Sequence, residues 1–147
     1  MGDLKLTSSA FSEGGEIPRE YGYKNGNKVP DLTVSGIPEG TESLALIMDD
    51  PDAMAAVGKV WVHWVAWWNT WFTDDLVGRP TKEGMTDFGE VGYGGPAPPD
   101  KRHTYVFKLY ALDSELDLPD KSAKADVEKA MEGHIIEQTT LEGTYAP

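Results

Sequence analysis

Asp50, His63, His103 and Tyr105 are the residues of this chain whose types and settings suit chemistry best. His63 lies inside an aromatic run, Trp61-Val62-His63-Trp64, and His103 precedes the apolar run Thr104–Leu112 with Tyr105 two residues on. Asp50 closes the apolar run Ser43–Met48 in the sequence Asp49-Asp50-Pro51-Asp52. Imidazole N–H and phenol O–H groups donate well to phosphate, sulfate or carboxylate oxygens. An aspartate that accepts one imidazole N–H fixes the tautomer and leaves the second ring nitrogen aimed at a ligand. The same carboxylate can hold an ammonium group, so a pocket with both functions suits a small anion or a zwitterion. Trp61 and Tyr93 are candidates for its apolar walls, and Pro98 and Pro99 for a stiff rim.

Other chemistries fit less well. His63, His103 and Asp50 have the composition of a two-histidine, one-carboxylate metal set. Their spacing is not a metal motif and nothing points to an activated water, so no metal and no cofactor is expected. No Gly-x-Ser-x-Gly elbow is present, which disfavours a serine hydrolase. The chain has no cysteine, which removes thiolate catalysis, disulfides and cysteine zinc sites. A formal net charge of -12 argues against nucleic acid and against docking on anionic membranes. A non-catalytic binding protein is therefore the expectation. Each residue also has a plain structural alternative. Asp49–Asp52 alone would be a turn with solvated carboxylates, with Asp52 holding the turn. His63 would be a satisfied buried histidine, Tyr105 a core residue, and Pro98-Pro99 a stiff loop. His134 is read as structural, on a helix.

The elements that must position these groups are mostly strands. With 147 residues and a mass of 16.1 kDa, one domain over 1–147 is expected. Sixteen glycines and ten prolines separate short apolar runs, the punctuation of a β protein. Leu4–Thr7 and Leu32–Ser35 read as short strands. Ser43–Met48, Val60–Trp68 and Thr104–Leu112 read as the buried centre of a sheet. Strict alternation puts Trp61, His63, Val65 and Trp67 on one face, and His103, Tyr105 and Phe107 on one face. If these strands are neighbours, the candidate residues converge at one end of the sheet. Tyr21–Pro30, Asp75–Glu90 and Gly92–Lys101 read as loops. Only Ser122–Gln138 has helical spacing, through Ala123, Val127, Ala130 or Met131, and Ile135, with Asp120 or Ser122 as cap and a break or close packing at Gly133. Gly143-Thr144-Tyr145 reads as a last short strand. No apolar run spans a bilayer and Met1–Lys5 shows no export pattern. With the absence of cysteine this gives a cytoplasmic expectation without membrane anchoring.

At these residues the sequence resembles the phosphatidylethanolamine-binding protein family, which includes the Raf kinase inhibitor protein and small bacterial and archaeal members. Ser43 to Ala53 resembles the first signature, an apolar strand ending in Asp-Pro-Asp-Ala-Pro. Val62-His63-Trp64-Val65 resembles the strand that supplies the first pocket histidine. Gly92-Tyr93-Gly94-Gly95-Pro96-Ala97-Pro98-Pro99 followed by His103-Thr104-Tyr105 resembles the second signature. Ala130 to Ile135 and Gly143-Thr144-Tyr145 resemble the C-terminal part of the small members, so the likeness runs from about Phe11 to Tyr145. The resemblance implies a mainly β fold: a two-sheet Greek-key antiparallel β-sandwich with a C-terminal helix, short peripheral helices and a small anion pocket at one end. It carries pocket roles onto Asp50, Asp52, Trp61, His63, Tyr93, Pro98, Pro99, His103 and Tyr105. It further implies phosphate-bearing or zwitterionic ligands of nucleotide or phospholipid head-group type, and a protein partner in kinase regulation or serine protease inhibition. Three departures stand out. Met54 occupies the usual proline position, so a looser loop is expected after Asp52. Thr104 replaces an arginine, so a changed salt bridge is expected there. Trp67, Trp68 and Trp71 form an unusually aromatic segment, read as packing, with any exposed member available to a homodimer patch.

Overall fold

In the computed structural model, which describes residues 2–69 and 80–147, the short apolar runs of the sequence are strands held together by antiparallel pairing. The elements in order are β1 (Lys5–Thr7), β2 (Thr33–Ser35), β3 (Ser43–Asp50), α1 (Ala53–Val57), β4 (Trp61–Trp68), β5 (Lys82–Glu83), β6 (His103–Leu112), α2 (Lys124–Met131) and β7 (Ile135–Tyr145). They form a five-stranded sheet in the order β5-β4-β3-β6-β7 and a two-stranded sheet β1-β2. Trp71 and residues 75–79 of the expected loop lie outside the described residues.

β3 is buried at all eight positions, because β4 and β6 flank it and both faces of the sheet are covered. A strand covered on both faces has no solvent side, hence its continuous apolar run. On one face, Leu44, Leu46, Met48, Trp64, Ala66, Trp68, Tyr105, Phe107 and Leu109 pack against Leu4, Leu6, Leu32 and Val34 of the small sheet region, with Phe11 and Ile17. On the other face, Ala45, Ile47, Val65 and Trp67 pack against Leu112, Leu116 and Val127 and Met131 of α2. Each large aliphatic or phenyl side chain so buried contributes roughly 1.5–3 kcal/mol relative to exposure. Trp67 and Trp68 are buried in these two cores. Neither is available for a dimer patch.

Asp49 at the end of β3 points to the α2 face, where its buried carboxylate lies 3.0 Å from both Lys108 Nζ and Lys124 Nζ. This pairing ties α2 to the sheet at the charged position of that face of β3.

Four expectations change. The helix is shorter than 122–138: it ends at Met131, and Gly133 takes a φ of +79°, a left-handed conformation suited to glycine after a helix. The residues beyond it form β7, eleven residues long rather than three, paired to β6 along its length. Ile135 matched the helical period by coincidence; it is 42% exposed on an edge strand. Pairing with β6 decides the conformation here, and the β-branched residues Ile135, Ile136, Thr139 and Thr140 favour it. His134 consequently sits in the turn between α2 and β7, with Nδ1 2.8 Å from Asp113 Oδ1. The helix start also differs. Neither Asp120 nor Ser122 caps it; the Ala123 N–H donates to the Asp126 carboxylate at 3.0 Å. The loop after Asp52 is not loose, because residues 53–57 are helix α1, whose first N–H, that of Ala53, donates to Asp50 Oδ1 at 3.2 Å.

The fourth change concerns β4. Met48 pairs with Trp64, but the next residue, Asp49, pairs with Val62. His63 is thus the extra residue of a β-bulge, which re-aims a strand locally. Upstream of it the alternation is inverted. Trp61 stands opposite Asp50, on the same face as Trp64, whereas Val65 and Trp67 pack on the α2 face. The four residues expected on one face are therefore split by the bulge.

Candidate functional site

β3 runs antiparallel to both β4 and β6, so the end of β3 meets the starts of its two neighbours. This topology brings Asp50, Trp61, His63 and His103 to one end of the sheet. They line a cleft of about 220 Å³, together with Ala53, Ala56 and Val57 of α1, Phe88, Ala97 and Pro99. The walls are apolar, and the polar groups Asp50, His63 and His103 are buried.

His63 is locked by its backbone and its ring. Its carbonyl accepts from the Gly94 N–H at 2.8 Å, and its Nδ1–H donates to the Gly94 carbonyl at 2.7 Å. With Nδ1 protonated, Nε2 carries the lone pair of the neutral ring. Burial holds the ring's pKa below the usual histidine value, despite the opposing pull of the Gly94 carbonyl and Asp50. The ring packs edge-on against Tyr105 at 5.2 Å and Phe88 at 5.3 Å. The loop that carries Gly94 approaches very closely: a Cβ on Gly95 would run into the Tyr21 carbonyl oxygen. This close approach explains the glycine at position 95.

His103 is bonded on both sides. Nδ1 lies 2.6 Å from Asp50 Oδ2 and Nε2 lies 2.7 Å from Asp100 Oδ1. Two carboxylate acceptors require two N–H donors, which describes an imidazolium. Burial pulls the ring's pKa down, but the bonds to Asp50 and Asp100 and their charges outweigh it, and the net shift is upward. For Asp100, partial burial raises the carboxyl, but the His103 bond and backbone N–H groups prevail and hold it below its ordinary value.

Tyr105 lies beneath the cleft, fully buried, and among the described residues its hydroxyl has no hydrogen-bond partner. Burial, reinforced by the nearby Asp50 charge, pushes this phenol well above its ordinary pKa. Three further sequence candidates stand away from the cleft lining. The Asp52 carboxylate accepts from the Thr104 N–H at 2.8 Å and pins the start of β6. Tyr93 packs perpendicular to Trp64 at 5.4 Å and donates to the Tyr21 carbonyl at 2.9 Å. Its burial likewise raises the phenol far above its ordinary value. Pro98 faces a neighbouring cleft with Arg19, Lys24, Asn25 and Tyr145. Next to Thr104, Arg102 Nη1 approaches Glu16 at 3.7 Å.

Sequence reasoning missed Phe88 and Asp100. Phe88 sits in a segment read only as a loop, yet it stacks on Tyr23 at 4.0 Å and contacts Trp61 at 5.7 Å. The signal for Asp100 was its place three residues before His103, directly after the stiff Pro98-Pro99 pair. Both His103 nitrogens are engaged by carboxylates, and among the described residues no cluster of three or more potential ligands has metal-binding geometry.

The family model described as phosphatidylethanolamine-binding protein matches residues 7–146. The chain belongs to the phosphatidylethanolamine-binding protein family. Among its relatives, the UPF0098 protein of Methanothermobacter thermautotrophicus is 41% identical over 97% of this chain and 98% of its own length. The UPF0098 protein of Chlamydia muridarum is 39% identical over the same shares. Two crystal structures of family members match the fold. A putative phosphatidylethanolamine-binding protein homologue from Chlamydia trachomatis superposes with a TM-score of 0.90 at 36% identity, covering 99% of this chain and 98% of that one. Escherichia coli YbcL, a member of the mammalian family, superposes with a TM-score of 0.87 at 31% identity, covering 98% of each chain. The mainly β fold with two antiparallel sheets is thus the phosphatidylethanolamine-binding protein fold. Among the described residues no helix is long and apolar enough to cross a membrane.

Proposed function

We propose that this protein is a non-catalytic, cytoplasmic binding protein whose cleft takes a small phosphate-bearing or zwitterionic group, of phospholipid head-group or nucleotide type. The observation that carries this reading is the meeting of His63, Asp50 and His103 on the floor of an apolar-walled cleft. The neutral Nε2 of His63 accepts from a protonated phosphate oxygen, or takes up a proton and donates to an anionic one. The Asp50 carboxylate of the same floor suits an ammonium group, which favours a zwitterion over a bare multivalent anion. The apolar walls of Trp61, Phe88 and Val57 accommodate the carbon portion of such a ligand. Nothing in the cleft supplies a nucleophile next to a base, which supports binding rather than turnover. The test is a titration with phosphate and with phosphoethanolamine, followed by the His63 ring resonances. His63→Ala should abolish the response, and unchanged ring resonances at millimolar ligand would rule the reading out.

A second reading, regulation of a kinase or inhibition of a serine protease by protein contact, is favoured by one feature. Val57, which lines the cleft, and Met54, one turn earlier on α1, are 50% and 54% exposed. Apolar side chains exposed beside a pocket suit a protein partner. Inhibition assays against panels of serine proteases and kinases decide it; absence of inhibition across both removes it.

A further inference from the structure

The two carboxylates on His103 are not equivalent. Asp50 is 3% exposed, lies at the end of a central strand and is also held by the Ala53 N–H. It is a permanent partner. Asp100 follows the Pro98-Pro99 turn on a loop, and its side chain is 42% exposed while the His103 side chain beneath it is fully covered. Its carboxylate sits on Nε2 at 2.7 Å, the distance at which an incoming oxyanion would sit on the same N–H. With His63 neutral, Asp50 of the floor and Asp100 beside it flank one imidazolium and leave a single net negative charge there. An anion entering the cleft meets that charge and finds no free N–H on His103. Rotation of Asp100 into solvent changes both facts. What remains is a neutral Asp50–His103 pair with a donor open towards the cleft.

We propose that Asp100 is an internal surrogate ligand that occupies the anion position on His103 and must be displaced by an external anion. The proposal rests on the anion-binding reading given above and deepens it. A tethered carboxylate competes at an effective concentration in the millimolar range or above, so a free carboxylate gains little by replacing it. A phosphate, with more charge and more acceptor oxygens, competes better. Asp100 therefore sets the apparent affinity of the site, lowering it by the fraction of time it covers Nε2.

The experiment uses inorganic phosphate as probe, with acetate as the carboxylate control, on the full chain and on Asp100→Ala and Asp100→Asn. Binding is followed by the ring resonances of His63 and His103. If Asp100 covers Nε2 about nine-tenths of the time, its removal tightens phosphate binding about tenfold. The same factor applies to acetate, so both affinities rise together and their ratio is unchanged. Asp100→Asn keeps an acceptor oxygen without the charge and should fall between parent and Asp100→Ala, which also guards against a folding defect in the alanine variant. Phosphate binding of equal or lower affinity in both variants, with the parent binding normally, overturns the surrogate role and leaves the anion site intact. No phosphate response in parent or variants overturns the anion reading itself, and the surrogate role with it.

Discussion

Replacing Asp50 with alanine removes the permanent partner of a buried charge. The His103 side chain is fully covered and Asp50 is nearly so, with the two joined at 2.6 Å. Breaking a buried pair by deleting one partner typically costs about 3–5 kcal/mol, because the other charge is left in a low-dielectric site. Asp100 still holds Nε2, which places the expected loss near the lower end, at about 3 kcal/mol. The Ala53 N–H also loses its acceptor, which adds on the order of 1 kcal/mol. For a chain of this size each kcal/mol moves the midpoint by roughly 2–4 °C, so thermal unfolding should shift down by roughly 6–16 °C. The loss has a pH signature. The folded-state pKa of His103 is raised, so its charged interactions stabilise the fold fully below the unfolded value of about 6.5 and fade as pH rises through the folded value. The gap between parent and Asp50→Ala should therefore be widest below about pH 6.5 and narrow in alkaline solution. Urea unfolding at a series of pH values measures it. A gap that is flat with pH, or below about 1 kcal/mol throughout, would refute the buried imidazolium between two carboxylates.

Three further outcomes follow from the same geometry. Phosphate binding should strengthen as pH falls, because the His63 ring is neutral in the free cleft and gains a proton beside an anion; calorimetry in buffers of different ionisation enthalpy should show proton uptake, and none if His63 does not face the ligand. Gly95→Ala drives a Cβ into the Tyr21 carbonyl, so the loop must shift; a stability loss of about 1–3 kcal/mol and disturbed His63 ring resonances are expected from denaturant curves and NMR, and a silent substitution would contradict the close approach. Gly133→Ala meets no neighbouring atom but must hold a φ of +79°; it should cost about 1–2 kcal/mol in denaturant unfolding, and a stabilising effect would place the helix end elsewhere.

The central strands were legible because burial on both faces leaves a plain apolar run, as in Ser43–Met48. The convergence of Asp50, His63 and His103 was legible as a type-and-position pattern, sharpened by the family resemblance. Only the end of β7, Gly143–Tyr145, was legible; its start was not, because Ile135 and the residues before it satisfy a helical period and only pairing with β6 overrides it. Asp52 and Tyr93 look like ligand groups by type, yet their polar atoms are engaged by the Thr104 N–H and the Tyr21 carbonyl. Such engagements depend on loop paths that no local pattern encodes. Asp100 was missed for the mirror-image reason. A charged loop residue reads as solvated surface, and its bond to His103 exists only once β6 and the Pro98-Pro99 turn are folded.

The extra residue in β4 acts as a phase slip along a single strand. Downstream of it, alternate side chains are committed to two cores, and upstream the phase is reset so that Trp61 faces Asp50. One strand thus serves two masters without compromise between them. Deleting His63 at the slip would restore plain alternation, with Trp61 still opposite Asp50 and Trp64 to Trp68 in register, but the cleft would lose its imidazole. A substitution at Trp61 can reshape the cleft wall while the packing of Trp64 to Trp68 below it stays in place.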